Sequence, residues 1–183
     1  LLKTIEDKNG NTFTLSYEHP TDANLVTSIT DPANRTLGLG YTNGLLTGLA
    51  DFSSRTVSYS YTGSQLTQVT DVLGNTVAYT YDSNGYLEII NDQRNINTVS
   101  NVYDANGRVN QQTDCNGNLT TFTYGTEGEF NKTAITNPDA SVVEHIHSQN
   151  NILLMIRYPI GSISYAYDAD NNRTSIVDRN GNV

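Results

Sequence analysis

Tyr103-Asp-Ala-Asn-Gly-Arg-Val-Asn-Gln-Gln-Thr-Asp-Cys-Asn-Gly-Asn118 holds two Asp-x-Asn-Gly turn signals with one short strand-like run between them. Weaker copies extend from it in both directions. A turn-opening acidic residue recurs as Asp7, Asp31, Asp51, Asp71, Asp92, Asp114 and Asp178, with Asn137 in the corresponding place and a degenerate copy near Tyr158. About ten residues after each comes an aromatic residue or a substitute for one: Tyr17, Tyr41, Tyr61, Tyr81, Tyr103, Tyr124, His147 and Tyr167. Two series that hold a constant offset through steps of 20 to 24 residues mark a tandem repeat.

The run that leads to each tyrosine alternates as a half-buried strand does. Phe13, Leu37, Val57, Val77, Val99, Thr120, Val143 and Ile163 lie four residues before the ladder position, and Leu15, Leu39, Tyr59, Tyr79, Asn101, Phe122, His145 and Tyr165 two before it. Small or polar residues such as Ser60, Ala78, Thr80 and Thr123 fall between them and define a second, solvated face. The companion strand breaks the period, because its apolar pairs are spaced by three: Leu2/Ile5, Val26/Ile29, Leu46/Leu49, Leu66/Val69, Leu87/Ile90 and Leu153/Ile156. Either that strand carries a bulge or the sheet buries side chains on both faces.

The turns have their own chemistry. Asp7 with Gly10, Asp71 with Gly74, Asp114 with Gly117 and Asp178 with Gly181 put a carboxylate first, to accept a backbone N–H, and glycine fourth, where φ is positive. Asp82 with Gly85 and Asp104 with Gly107 repeat this at the other end of the unit. No stretch carries a capped helical pattern. The expected fold is all-β: residues 1–183 form about nine hairpin repeats without an internal boundary, in one antiparallel sheet of about 17 strands that curls because twisted open sheets of that width do not stay flat. Residues 137–160 are the most degenerate stretch, with Pro138 and Pro159 near turns.

The net charge of −9 and the pI near 4.5 argue against nucleic acid or an anionic membrane as partner, and no apolar run approaches a membrane-spanning length. A single cysteine, Cys115, excludes a disulfide framework. The pattern starts at Leu1 and stops just after a turn at Val183, so the chain is expected to be part of a longer protein, and the lack of a leader says nothing of location.

Tyr79-Thr-Tyr-Asp-Ser-Asn-Gly85, Tyr103-Asp-Ala-Asn-Gly-Arg108 with Thr113-Asp-Cys-Asn-Gly-Asn118, and Tyr165-Ala-Tyr-Asp168 resemble the tyrosine-aspartate (YD) repeat of Rhs-family proteins, and the resemblance covers nearly the whole chain. It implies a secreted or cell-surface protein whose β-strip spirals into a hollow shell that, in bacterial members, encloses a toxic C-terminal segment. The self-cleaving core of those members has no counterpart in these residues, so the resemblance brings a scaffold role and no protease. Its partners would be other segments of the same polypeptide.

Rival chemistries are weakly encoded. His145 and His147 share a strand face at a spacing that suits metal ligation, but no third ligand is evident and both sit where other repeats hold aromatics. Asp168-Ala-Asp-Asn-Asn172 opens like a calcium loop, and its twelfth position is Arg179. His19, beside Pro20, reads as a loop residue. Sequons at Asn34, Asn118, Asn131 and Asn172 are no more frequent than composition gives by chance, and no carboxylate pair stands out for glycoside hydrolysis. Neither a catalytic residue, a metal nor a cofactor is expected. The alternative to a scaffold is a binding module whose tyrosines contact a glycan or a cell-surface protein, for which exposed rings in a row would be required. The terminal strands, short of charged deterrents, are expected to favour edge-to-edge self-association.

Overall fold

Strands end every ten residues or so because other tight turns, such as Asn43-Gly44 between Asp31 and Asp51, fall between successive members of the Asp-led series, and no helix forms between them. The computed structural model describes residues 1–183, and all of its regular structure is β-strand, with the strand pairs inside each unit antiparallel. The chain forms two compact units, residues 1–96 and 97–183.

In the first unit β1 (Thr4–Glu6), β2 (Thr12–Ser16), β3 (Ser28–Thr30), β4 (Thr36–Thr42), β5 (Leu45–Ala50), β6 (Thr56–Thr62), β7 (Gln65–Thr70), β8 (Thr76–Tyr81) and β9 (Leu87–Asn91) pair in chain order as a meander. The second unit does the same with β10 (Asn97–Tyr103), β11 (Val109–Asp114), β12 (Leu119–Glu127), β13 (Phe130–Thr136), β14 (Val142–His147), β15 (Leu153–Arg157), β16 (Ser162–Tyr167) and β17 (Arg173–Val177).

The two faces read off the sequence are visible in β6, where Val57, Tyr59 and Tyr61 are half-buried while Thr56, Ser58, Ser60 and Thr62 are exposed. Across β6 and β7, Tyr59 lies opposite Val69 and Tyr61 opposite Leu66, so the apolar residues of each hairpin meet on one face. Burial stays shallow: only Ile146 and Asn101 are buried, at 5% and 8% exposure. A single sheet layer covers its apolar stripe sideways, by neighbouring strands, and lacks the second layer that closes an ordinary core.

Four of the period-three pairs, Leu46/Leu49, Leu66/Val69, Leu87/Ile90 and Leu153/Ile156, are explained by bulges. Tyr41 pairs with Leu46 and Gly40 with Gly48, which leaves Thr47 as an extra residue and brings Leu46 and Leu49 to the same face. The same shift sets Thr67 apart in β7, Glu88 in β9, Asn110 in β11, Leu154 in β15 and Thr174 in β17. Hydroxyls pin two of these bulges, Thr47 to the Gly40 carbonyl at 3.4 Å and Thr67 to the Ser60 carbonyl at 3.2 Å.

Candidate functional site

The residues singled out in the sequence occupy two recurring devices. The first is the turn. In each Asp-led turn the Asp carbonyl accepts the N–H of the fourth residue and the Asp N–H donates to the carbonyl of the fifth, as with Gly74 and Asn75 around Asp71 at 3.0 and 2.9 Å. The Asp71 Oδ1 accepts two further N–H groups, from Leu73 and Asn75, both at 2.8 Å, and its Oδ2 accepts the Asn75 side-chain amide at 2.9 Å. One carboxylate thus satisfies three donors, and the fourth residue takes a positive φ, +83° at Gly74.

The frame repeats at Asp7 with Gly10, Asp114 with Gly117, Asp178 with Gly181, Asp82 with Gly85 and Asp104 with Gly107. It also holds where glycine is missing: Asn34, Ser54, Asn95, Ala140, Asn151 and Asn171 all carry positive φ at the fourth position. The fifth residue is a partner that sequence reasoning passed over. Asn11, Asn75, Asn118, Asn172 and Asn182 donate their amides to the Asp Oδ2, and Arg35, Arg55 and Arg108 donate their guanidinium Nε. The signal was present, an Asn or Arg four residues after the Asp.

These bonds stabilise the charged form. The side-chain donor is the largest cause that holds Asp7, Asp51, Asp71, Asp114, Asp168 and Asp178 below the ordinary carboxylate range, and the Arg94 side chain does so for Asp92. At Asp31 and Asp104 the backbone N–H of the fifth residue leads. Gly74→Ala should cost about 1–2 kcal/mol, because the left-handed region penalises a Cβ even where it meets no atom within 4 Å. A urea midpoint for this variant equal to that of the parent protein would show that the turn relaxes to another conformation.

The second device is the ladder. Tyr17, Tyr41, Tyr61, Tyr81, Tyr103, Tyr124 and Tyr167 are all half-buried. The hydroxyls of Tyr41, Tyr61, Tyr81 and Tyr124 donate to the carbonyls of Val26, Leu46, Leu66 and Val109, each 15 residues earlier, at 2.6 to 2.9 Å. Tyr17 reaches Leu2 and Tyr167 reaches Leu153 in the same manner. Leu2, Val26, Leu46, Leu66 and Leu153 are the first members of the period-three apolar pairs and Val109 opens β11, so one hydroxyl reaches from its own strand to the start of the strand before it. Tyr103 ends β10 opposite Val109, beside the bulge. The Arg108 guanidinium lies over the Tyr124 ring at 4.2 Å.

His145 and His147 stand 6.3 Å apart between ring centroids, tilted by 51°. Burial, with His147 as the lesser cause, pushes the His145 imidazole below its ordinary value. No cluster of three or more His, Cys, Asp or Glu side chains in the structure could hold a metal ion. His19 is edge-on to Tyr41 at 5.7 Å, and its Nδ1 accepts the Asp22 N–H at 3.2 Å. Cys115 is an exposed free thiol.

One cluster had no sequence signal, because its members are 5 to 30 residues apart. On the face opposite the ladder, Arg157 pairs with Glu127 at 2.9 Å and Glu144 at 2.6 Å, and Lys132 pairs with Glu144 at 3.1 Å. These ion pairs share the face of Ile146, whose strand partners are Lys132 and Met155. The Arg157 side chain, hydrogen-bonded first by Glu127 and then by Glu144, is held even more firmly protonated than usual. Arg157→Ala should lower the thermal midpoint more than Arg55→Ala does, since the Arg55 guanidinium bonds the Asp51 of its own turn; equal shifts would mean the cross-strand network adds nothing.

A fold of antiparallel hairpins whose turns and tyrosines recur in one geometry defines a β-hairpin repeat array. Residues 103–142 match the family model described as RHS Repeat. No curated protein matches the chain. Among solved structures, TcdB2-TccC3 without its hypervariable C-terminal region is similar with a TM-score of 0.60 at 13% identity, over 95% of this chain and 12% of that one. TcdB2-TccC3 itself is similar with a TM-score of 0.59 at 12% identity, over the same shares of the two chains. The likeness is one of fold, and this chain spans 12% of the length of those proteins.

Proposed function

We propose that this chain is a non-catalytic scaffold, a segment of a YD-repeat shell that encloses or displays another part of its own polypeptide, in bacterial relatives a toxin. The observation that carries this reading is the commitment of the repeated polar groups to the frame. Turn carboxylates satisfy turn donors and ladder hydroxyls bond backbone carbonyls, which leaves structure as the use of the most regular residues. On this reading residues 1–183 are one array, and the protein acts outside the cell or at its surface. Half-buried rings with occupied hydroxyls give no support to a glycan-binding ladder, which needs exposed ring faces.

Protease protection tests the scaffold. In the parent polypeptide, the non-repeat segment should resist a protease that digests it readily once the array is unfolded or removed. Equal digestion in both states would overturn enclosure, and glycan binding abolished by Tyr61→Ala would establish the binding module instead. Self-association through β1 and β17, where Ile5 and Ile176 are exposed, belongs to the same proposal. Sedimentation of this segment should show a mass that rises with concentration, and a strictly monomeric species would refute it.

A further inference from the structure

Six Asn-Gly pairs occur in the chain, at Asn9, Asn43, Asn84, Asn106, Asn116 and Asn180, and all six asparagines are exposed. Such a pair is open to a spontaneous reaction that needs no enzyme. The glycine backbone nitrogen loses its proton to solvent base and attacks the asparagine Cγ; an N–C bond forms, the side-chain nitrogen leaves as ammonia, and a five-membered succinimide results. Water then opens either carbonyl of the ring to give aspartate or isoaspartate. Access to the side chain does not separate the six sites, so the state of the glycine N–H decides among them.

We infer that Asn43 is the site of spontaneous deamidation in the folded protein and that the fold itself shields the other five. At Gly10, Gly85, Gly107, Gly117 and Gly181 the N–H that must be lost is already donated to the carbonyl of the Asp that opens the turn, at 3.0 to 3.1 Å. In each of these turns the Asp Oδ1 also accepts the N–H of the asparagine itself, at 2.8 to 2.9 Å. A carboxylate fixed there opposes the negative charge that develops on the neighbouring glycine nitrogen.

Asn43 and Gly44 form a different turn. They are the two loop residues between the paired Thr42 and Leu45, with φ of +52° and +77°, as a tight hairpin of the mirror-image type demands. In that turn the hairpin bonds are made by the flanking residues, the Gly44 N–H has no acceptor, and the segment Thr42–Leu45 contains no acidic residue. The features that protect the acidic turns, a tied N–H and an adjacent carboxylate, are both missing.

Incubation of the folded protein at mildly alkaline pH, followed by digestion and mass spectrometry, tests the inference. The peptide that contains Asn43 should gain the mass of one amide-to-acid exchange, split between aspartate and isoaspartate, several-fold sooner than any other Asn-Gly peptide. In urea the six sites should react at similar rates, because the turns are gone. Asn43→Gly, which suits the positive φ, should remove the early product and leave the slow reaction elsewhere unchanged. Another Asn-Gly site that reacts as fast as Asn43 in the folded protein would overturn the inference, and so would a lead for Asn43 that persists undiminished in urea.

Discussion

Tyr81→Ala is expected to destabilise the array by about 3 kcal/mol, the lower end of the range for aromatic truncations, because the ring is half-buried rather than enclosed. Tyr81→Phe should cost about 1 kcal/mol, the net worth of one hydrogen bond with the acceptor left behind. The comparison separates the two roles of the residue. The ring packs on the apolar face opposite Leu87, and the hydroxyl ties β8 to the Leu66 carbonyl at 2.7 Å. Urea denaturation of the two variants measures both terms. An alanine cost below about 1 kcal/mol would mean that the ring contributes no packing. A phenylalanine variant as stable as the parent would mean that water replaces the hydroxyl at Leu66.

Stability is expected to be nearly constant from pH 7 to about pH 5 and to fall steeply below about pH 4. The sign follows from the turns. Nine turn carboxyls, those of Asp7, Asp31, Asp51, Asp71, Asp92, Asp104, Asp114, Asp168 and Asp178, are held below their ordinary value in the fold. The unfolded chain therefore binds protons first as the pH drops. The stability these groups supply is present above the unfolded carboxyl value and is lost as pH falls through the folded one. A contrary term exists, since protonation relieves the repulsion within a chain of net charge −9. At physiological salt, charges farther apart than about 8 Å are screened, whereas a carboxylate bonded to three donors within its own turn is not, so the local loss wins. Urea midpoints taken across pH 3 to 7 would show the effect, and midpoints that rise toward pH 3 would mean that diffuse repulsion dominates.

Turn chemistry and strand alternation are local properties, and the sequence carries them openly. Asp71 and Gly74 specify a turn because side-chain acceptance and positive φ act within four residues, and Val57, Tyr59 and Tyr61 specify a face because a strand has period two. The repeat, the all-β class and the resemblance to YD repeats follow from these alone. Leu46 and Leu49 did not fit that period, and two explanations stood equally until the register opposite Tyr41 showed Thr47 to be an extra residue; a bulge is a property of a pair of strands and has no expression in one. The tyrosine ladder was legible as positions but not as hydrogen bonds, because the Leu66 carbonyl lies 15 residues from Tyr81 in sequence and only strand pairing makes it near. The Glu127, Glu144, Lys132 and Arg157 network was invisible for the same reason, since no local pattern places an arginine beside a glutamate 30 residues away. Sequence by itself determined where this chain turns and which residues share a face; the tertiary structure alone decided which distant backbone and side-chain groups meet across that face, because pairing register is fixed between strands rather than within them.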